Sequence, residues 1–252
     1  MDNSSHKISD LLNKFPSIDL EGMEEYALMK RVETKYLMSY QQFLEFIETC
    51  DDRFFILEIN NKRLHHYKSR YFDTKGLKSY YDHHNGKSNR YKIRFRKYDS
   101  SAACFIEFKR KNLKGEIVKQ RKVSEWKDEL GKKDCLYIQG VDQTIELGNL
   151  EQSVNNEYDR ITLLDKESKE RMTFDLNLNF NHQGNQDEVS EIVIGELKQE
   201  KKAVSTISSF LNKQGITPTS FSKYCTGVVL LKPDVKKNNF KKNLIKIGKW
   251  VS

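Results

Sequence analysis

The chain has 252 residues, 37% of them hydrophobic and 32% charged, with 44 Lys and Arg against 36 Asp and Glu for a net charge of +8. Fourteen Phe and 12 Tyr, with a good supply of Ile, Leu and Val, can build a core, which excludes wholesale disorder. No apolar run approaches the ~18 residues of a membrane span, and the polar start has no apolar signal-peptide core, so the chain reads as soluble and cytoplasmic, without a transmembrane segment.

In chain order, residues 1–20 read as a polar arm with a short helix around Ile8–Phe15. A body follows over 21–231. Its first strand candidate is Ala27–Met38, and Tyr40–Cys50 has helical spacing through Phe43, Leu44 and Ile47. Phe54–Ile59 and Leu64–Asp73 read as strands, and Gly76–His84 as a short helix closed by the Asn85-Gly86 turn signal. Tyr91–Tyr98, Ala103–Lys111 and Glu116–Ser124 form an expected meander, and a polar, helical connection comes next. Strands resume at Tyr158–Leu164, Arg171–Phe180 and Ser190–Gln199; Lys202–Lys213 and Phe221–Leu231 are helix candidates. Many antiparallel strands with a few helices make an α+β chain. A strand count near eight points to a sheet that curls or closes into a barrel.

Charge is unevenly placed. The tail, 232–252, carries +6 and the body only +2. A uniformly basic nucleic-acid binder would not look like this, and no nucleic acid is expected as partner. The tail sets Phe240, Leu244, Ile245, Ile247 and Trp250 among its lysines. It reads as a solvated extension; the alternative is a short amphipathic helix making peripheral contact with an anionic membrane or polyphosphate. Four separated cysteines, Cys50, Cys104, Cys135 and Cys225, form no CxxC and read as buried thiols in a reducing compartment.

Within the body, charged residues recur at i, i+2 and so project from one face of a strand. Glu33 and Lys35 do so, as do Arg94 and Arg96 opposite Ile93 and Phe95, Glu107 and Lys109 opposite Ile106 and Phe108, and Glu196 and Lys198 around Leu197. Gly195 reads as a bulge. From Arg171 to Phe180 the alternation runs unbroken, with Met172, Phe174, Leu176, Leu178 and Phe180 on one side. One reading is a half-solvated sheet whose exposed pairs contribute only ~0–1 kcal/mol each. The other is a closed barrel whose lumen grips a polyanion with its basic groups and a divalent cation with its carboxylates.

Other signals are weaker. Gly86-Lys87-Ser88 is no P-loop, because Tyr81 stands where its first glycine belongs. His65 and His66 are adjacent on a strand, point to opposite faces and cannot readily chelate together. No GxSxG supports a serine hydrolase.

In order along the body stand Val32-Glu33-Thr34-Lys35-Tyr36, Ser69-Arg70-Tyr71-Phe72-Asp73-Thr74, Lys92-Ile93-Arg94-Phe95-Arg96 and Phe105-Ile106-Glu107-Phe108-Lys109. They are followed by Tyr158-Asp159-Arg160-Ile161, Arg171-Met172-Thr173-Phe174-Asp175, Gly195-Glu196-Leu197-Lys198 and Ser220-Phe221-Ser222-Lys223-Tyr224. Over about residues 24–231 this set resembles the polyphosphate polymerase domain of the vacuolar transporter chaperone (VTC) family, within the triphosphate tunnel metalloenzymes. The resemblance implies an eight-stranded antiparallel barrel closed by helices, here in stand-alone form. It implies transfer of the ATP γ-phosphate to a growing polyphosphate chain, with Mn²⁺ or Mg²⁺ as cofactor and ATP and polyphosphate as partners. The alternatives are a triphosphate hydrolase of the same fold and a non-catalytic polyphosphate-binding module.

The resemblance also implies site residues. Lys35, Arg94, Arg96 and Lys109 are the expected catalytic set; Arg160, Arg171, Lys198 and Lys223 the expected substrate-binding set. Glu196 is the expected metal carboxylate, with Asp175 and Glu107 as further candidates for the metal or for orienting the basic groups. Ser220 stands where the family pattern would put one more basic residue.

Overall fold

The computed structural model describes residues 3–26, 32–50, 52–201 and 203–248, with side chains from Ile8 onward. The start of the expected first strand (27–31), the start of the expected helix at Lys202, and Trp250 of the tail lie outside the described residues.

The helices are α1 (Asn3–Leu12), α2 (Leu20–Glu25), α3 (Tyr40–Thr49), α4 (Lys78–His84), α5 (Lys132–Val141), α6 (Thr206–Lys213), α7 (Lys223–Leu231) and α8 (Lys241–Lys246). The strands are β1 (Ser17–Ile18), β2 (Val32–Ser39), β3 (Phe54–Leu57), β4 (His65–Thr74), β5 (Arg90–Tyr98) and β6 (Ala103–Lys111). They continue with β7 (Ile117–Val123), β8 (Leu150–Asp165), β9 (Arg171–His182), β10 (Asn185–Val189), β11 (Ile192–Gln199) and β12 (Pro218–Thr219). The chain is α+β with a mainly antiparallel sheet, as expected. The closed eight-stranded barrel is corrected: among the described residues twelve strands take part, and their hydrogen-bonded order is an open path with β12 and β7 at its ends. The extra strands β1, β10 and β12 have two to five residues, too short to show an alternation of their own.

The chain divides into two compact units. The first comprises residues 1–65, 159–177 and 189–221. In it β2 lies between β12 and β11, and β11 between β2 and β9, all antiparallel. One face of these strands presents Tyr36, Met38, Met172, Phe174, Val193 and Leu197, all buried and packed against α3 and α6. α3 begins at Ser39, whose hydroxyl accepts from the Gln42 amide while the Gln42 side chain accepts from the Ser39 amide. This reciprocal cap satisfies donors that a helix start otherwise leaves orphaned. The first helix sits earlier than expected, and Ile8, Leu11, Leu12 and Phe15 of the polar arm are buried in this core. Gly195 is no bulge. It keeps register with Tyr36 and Phe174. A Cβ there would come within 2.5 Å of the Met172 Cε, so the glycine makes room for methionines over the sheet.

The second unit comprises residues 66–158, 178–188 and 222–252. Its strands β4, β5, β6 and β7 are paired antiparallel in that order. Ile93, Phe95, Ile106 and Phe108 are buried on one face with Ile138 of α5. Asp73, fully buried at the end of β4, accepts from the backbone amides of Ser79 and Tyr80 and fixes the start of α4. Close packing of α7 is set by Gly227, where a Cβ would come within 2.6 Å of both Phe180 and Val154.

The expectation of a solvated tail is corrected as well. The Tyr80 hydroxyl donates to the Lys236 carbonyl at 2.5 Å, and the Phe240 ring lies 5.7 Å from His84 and 5.8 Å from Tyr80. Leu244 and Ile247 are buried. The spacing 240, 244, 247 gives one apolar stripe on a helical segment, and that stripe is covered. No helix among the described residues is long and apolar enough to cross a membrane.

Candidate functional site

In each unit one sheet face packs on helices and the other carries charge, so the i, i+2 habit of the sequence becomes two charged surfaces.

In the first unit, pairing places Glu196 opposite Lys35 on β2 and opposite Thr173 on β9, and Lys198 opposite Glu33 and Arg171. The Lys198 ammonium lies 2.8 Å from Glu196 Oε1, and Lys35 Nζ lies 3.8 Å from Oε2. Lys35 also donates to the Phe221 carbonyl at 3.0 Å. Burial pushes the Glu196 carboxyl up, but Lys198, Lys35 and Arg160 outweigh it and hold the group well below the usual range. Lys198 moves down, chiefly because burial and the Arg160 and Arg171 charges outweigh the help of Glu196. Arg160 forks onto Asp175, Nε to Oδ1 at 2.6 Å and Nη2 to Oδ2 at 2.8 Å. That bidentate geometry is the strongest form of the pair, and Asp175 is buried. Lys35, Arg160, Arg171, Asp175, Glu196 and Lys198 thus belong to one unit.

In the second unit, β5, β6 and β7 align in rows across the sheet. Lys92 stands opposite Lys109, which stands opposite Lys119; Arg94 opposite Glu107, opposite Arg121; Arg96 opposite Phe105. The buried Glu107 anchors this face. Arg94 donates to its Oε2 from Nε at 2.7 Å and from Nη2 at 2.5 Å, and Lys119 Nζ lies 2.7 Å from its Oε1. Burial opposes ionisation of Glu107, but Arg94, Arg96 and Lys119 win and keep it ionised far into acid. Arg94 is correspondingly held charged, burial being outweighed by Glu107 and Tyr71. Lys119 is pushed down to about 8, by burial first and then against the pull of Glu107.

Arg96, 5% exposed, donates to Ser69 at 3.2 Å and sits 5.5 and 5.7 Å over the Tyr67 and Tyr158 rings. Such cation–π contacts hold a guanidinium without spending its charge on a carboxylate. Lys223, the first residue of α7, lies 4.4 Å over the Tyr158 ring. Lys92 donates to the α7 cap, Ser222, at 2.7 Å. Arg94, Arg96, Glu107, Lys109 and Lys223 therefore belong to the second unit.

A profile of the VTC domain matches residues 30–232. The chain belongs to the VTC domain family. Membership places it among proteins that act on triphosphate or polyphosphate. No curated protein sequence matches this VTC domain. Among solved structures it is similar to a candidate adenylate cyclase from Bacillus halodurans, 13% identical over 77% of this chain and 94% of that one, with a TM-score of 0.48. A protein from Pyrococcus horikoshii OT3 is 12% identical over 81% of this chain and 99% of its own, with a TM-score of 0.44. A candidate adenylyl cyclase from Hippeastrum, described as having a dominant triphosphatase activity, is 14% identical over 79% and 95%, with a TM-score of 0.41.

Sequence reasoning left out Lys92, Lys119 and Arg121 of this VTC domain. Each lies at i, i+2 from another basic residue on a strand that was expected, so the same signal would have found them. It also left out Tyr71, whose partners come from a neighbouring strand and leave no mark in local spacing.

The carboxylates differ in what they could offer a metal. Among the described residues no three His, Cys, Asp or Glu side chains converge on a metal position. Asp175 and Glu107 each have both oxygens on cations. Glu196 has one close cation and one at 3.8 Å. Its donor chemistry fits a hard divalent ion that takes one carboxylate from the protein and its other oxygens from water and substrate phosphates.

Proposed function

We propose that this VTC domain is a metal-dependent phosphotransferase that moves the γ-phosphate of ATP onto a growing polyphosphate chain. The second unit's charged face carries this reading. There Lys92, Arg94, Arg96, Lys109, Lys119 and Arg121 share one side of three paired strands with a single carboxylate, Glu107. So unbalanced a face suits a long polyanion better than the activation of a water molecule, which favours a carboxylate base.

In the transfer, a terminal polyphosphate oxygen forms a bond to the γ-phosphorus. The bond from that phosphorus to the bridging oxygen breaks, and its electron pair leaves with ADP. No side-chain nucleophile is needed, because phosphoryl transfer asks the protein mainly for positioning and charge neutralisation. In the second unit Arg94, Arg96 and Lys109 supply that neutralisation, Arg as a planar fork and Lys as a point charge, with Lys223 holding substrate. In the first unit Lys35 has the same role, and Arg160, Arg171 and Lys198 hold phosphate. Glu196 would hold Mn²⁺ or Mg²⁺, which when bound offsets charge on the phosphate oxygens. Asp175 and Glu107 keep Arg160, Arg94 and Lys119 in orientation.

Incubation with ATP and Mn²⁺, with products resolved on a sizing gel, tests the reading. ADP and a phosphatase-sensitive ladder are expected. Stoichiometric orthophosphate with no ladder would make the protein a hydrolase. Binding with neither product would make it a silent polyphosphate-binding module.

A further inference from the structure

Tyr71 lies within the second unit's basic face. Its strand neighbour across the β4–β5 pairing is Arg94, and its hydroxyl accepts from Arg94 Nη1 at 3.0 Å. The ring lies 5.7 Å beneath the same guanidinium and 5.0 Å from the Tyr224 ring, and the residue is 4% exposed. The cations of β5, Lys92, Arg94 and Arg96, surround it. The nearby acids are committed elsewhere. Glu107 of β6 takes Arg94 and the Lys119 of β7. Asp73 of β4 takes the Tyr224 hydroxyl and the amides of α4. Among the described residues the Tyr71 hydroxyl therefore accepts a hydrogen bond and has no acceptor for its own proton.

A buried phenol in that position is a donor waiting for an anion. We propose that the Tyr71 hydroxyl is itself a phosphate ligand, donating a hydrogen bond to an oxygen of a bound triphosphate beside Arg94. The inference rests on the proposed function only in requiring that this face bind a polyanion. The electrostatics agree. Burial pushes the phenol up, but Arg94, Arg96 and Lys92 outweigh it and leave it at about 8. With the face empty, rising pH turns Tyr71 into a phenolate that competes with phosphate for Arg94. A bound triphosphate brings its own negative charge, raises the phenol and restores the proton. Reciprocity of linked equilibria then requires triphosphate affinity to fall as pH rises through 8.

The test is ultraviolet difference spectroscopy of the full chain at pH 8 with inorganic triphosphate as probe, beside calorimetric titration of the same samples. In the unmodified protein, binding is expected to remove a fraction of a tyrosinate per chain, since the surrounding cations lower the phenol to about 8. Tyr71→Phe keeps the ring against Tyr224. It should still bind triphosphate, roughly 2–12-fold more weakly for one lost hydrogen bond, with no tyrosinate change and a flatter loss of affinity above pH 8. Binding heat without a spectral change in the unmodified protein overturns the Tyr71 assignment and leaves the proposed function standing. A spectral change that persists in Tyr71→Phe also overturns it, by assigning the proton to another tyrosine. Absence of binding by both measures overturns the assignment and the polyanion reading together.

Discussion

Glu107→Gln separates a carboxylate that orients basic groups from one that holds a metal. The side chain is 2% exposed and contacts Arg94 and Lys119 at 2.5–2.7 Å. Losing one partner of a fully buried ion pair costs about 3–5 kcal/mol. Arg94 keeps its bond to Tyr71 and is one-fifth exposed, so a loss of about 2–4 kcal/mol is expected. For a domain of this size that lowers Tm by roughly 4–16 °C. Triphosphate affinity should move the other way. Removing one negative charge a few ångström from the phosphate contributes about 1–3 kcal/mol at the effective dielectric of a partly buried site, or roughly 5–150-fold tighter binding. Thermal melts with and without triphosphate read both effects, and the ligand-induced shift should be larger in the variant. Acid dependence gives a further check. Glu107 is depressed in the folded state, so its contribution is present above its ordinary value of 4.5 and fades as pH falls below it. The variant should lack that acid limb. An unchanged Tm, or triphosphate affinity that falls as it does in Arg96→Ala, would refute the orienting role.

Arg96→Ala should weaken triphosphate binding by roughly 10–150-fold, the range for a charge-assisted contact. It should cost less stability than Arg94→Ala, which strands Glu107, and paired titrations and melts show whether it does. Glu196→Gln should abolish Mn²⁺-dependent turnover while keeping much of the anion affinity, because the amide keeps the shape without the charge; wild-type turnover at low Mn²⁺ would remove Glu196 as a ligand. In the tail, Lys242→Glu with Lys246→Glu should leave Tm within about 1 °C, since both are exposed, and reduce binding to anionic vesicles if the tail contacts membranes. Leu244→Ala, which removes a side chain 1% exposed, should instead destabilise by about 2–5 kcal/mol, measured by denaturant unfolding.

What the sequence determined follows from the two-residue period of a strand. From Met172 to Phe180 every second side chain is apolar, and all five are buried. The same period placed Arg94 with Arg96, Glu107 with Lys109 and Glu196 with Lys198 on charged faces, because alternation is local to one strand and needs no partner to be read. Motif order along the body was equally legible, and the family match covers that stretch. Register and long-range docking were decided by tertiary structure. No spacing within β6 says that Glu107 meets Arg94 on one side and Lys119 on the other, the contacts on which its proposed orienting role rests. The expected strand at Tyr158 begins at Leu150, because the polar stretch before it gains its hydrogen bonds from neighbouring strands. Burial of Phe15, Leu244 and Ile247 depends on surfaces distant in sequence, and apolar residues sparse among polar ones give no sign of what will cover them. The Tyr71 hydroxyl meets Arg94 across 23 residues of chain, so its chemistry arises only when β4 and β5 pair.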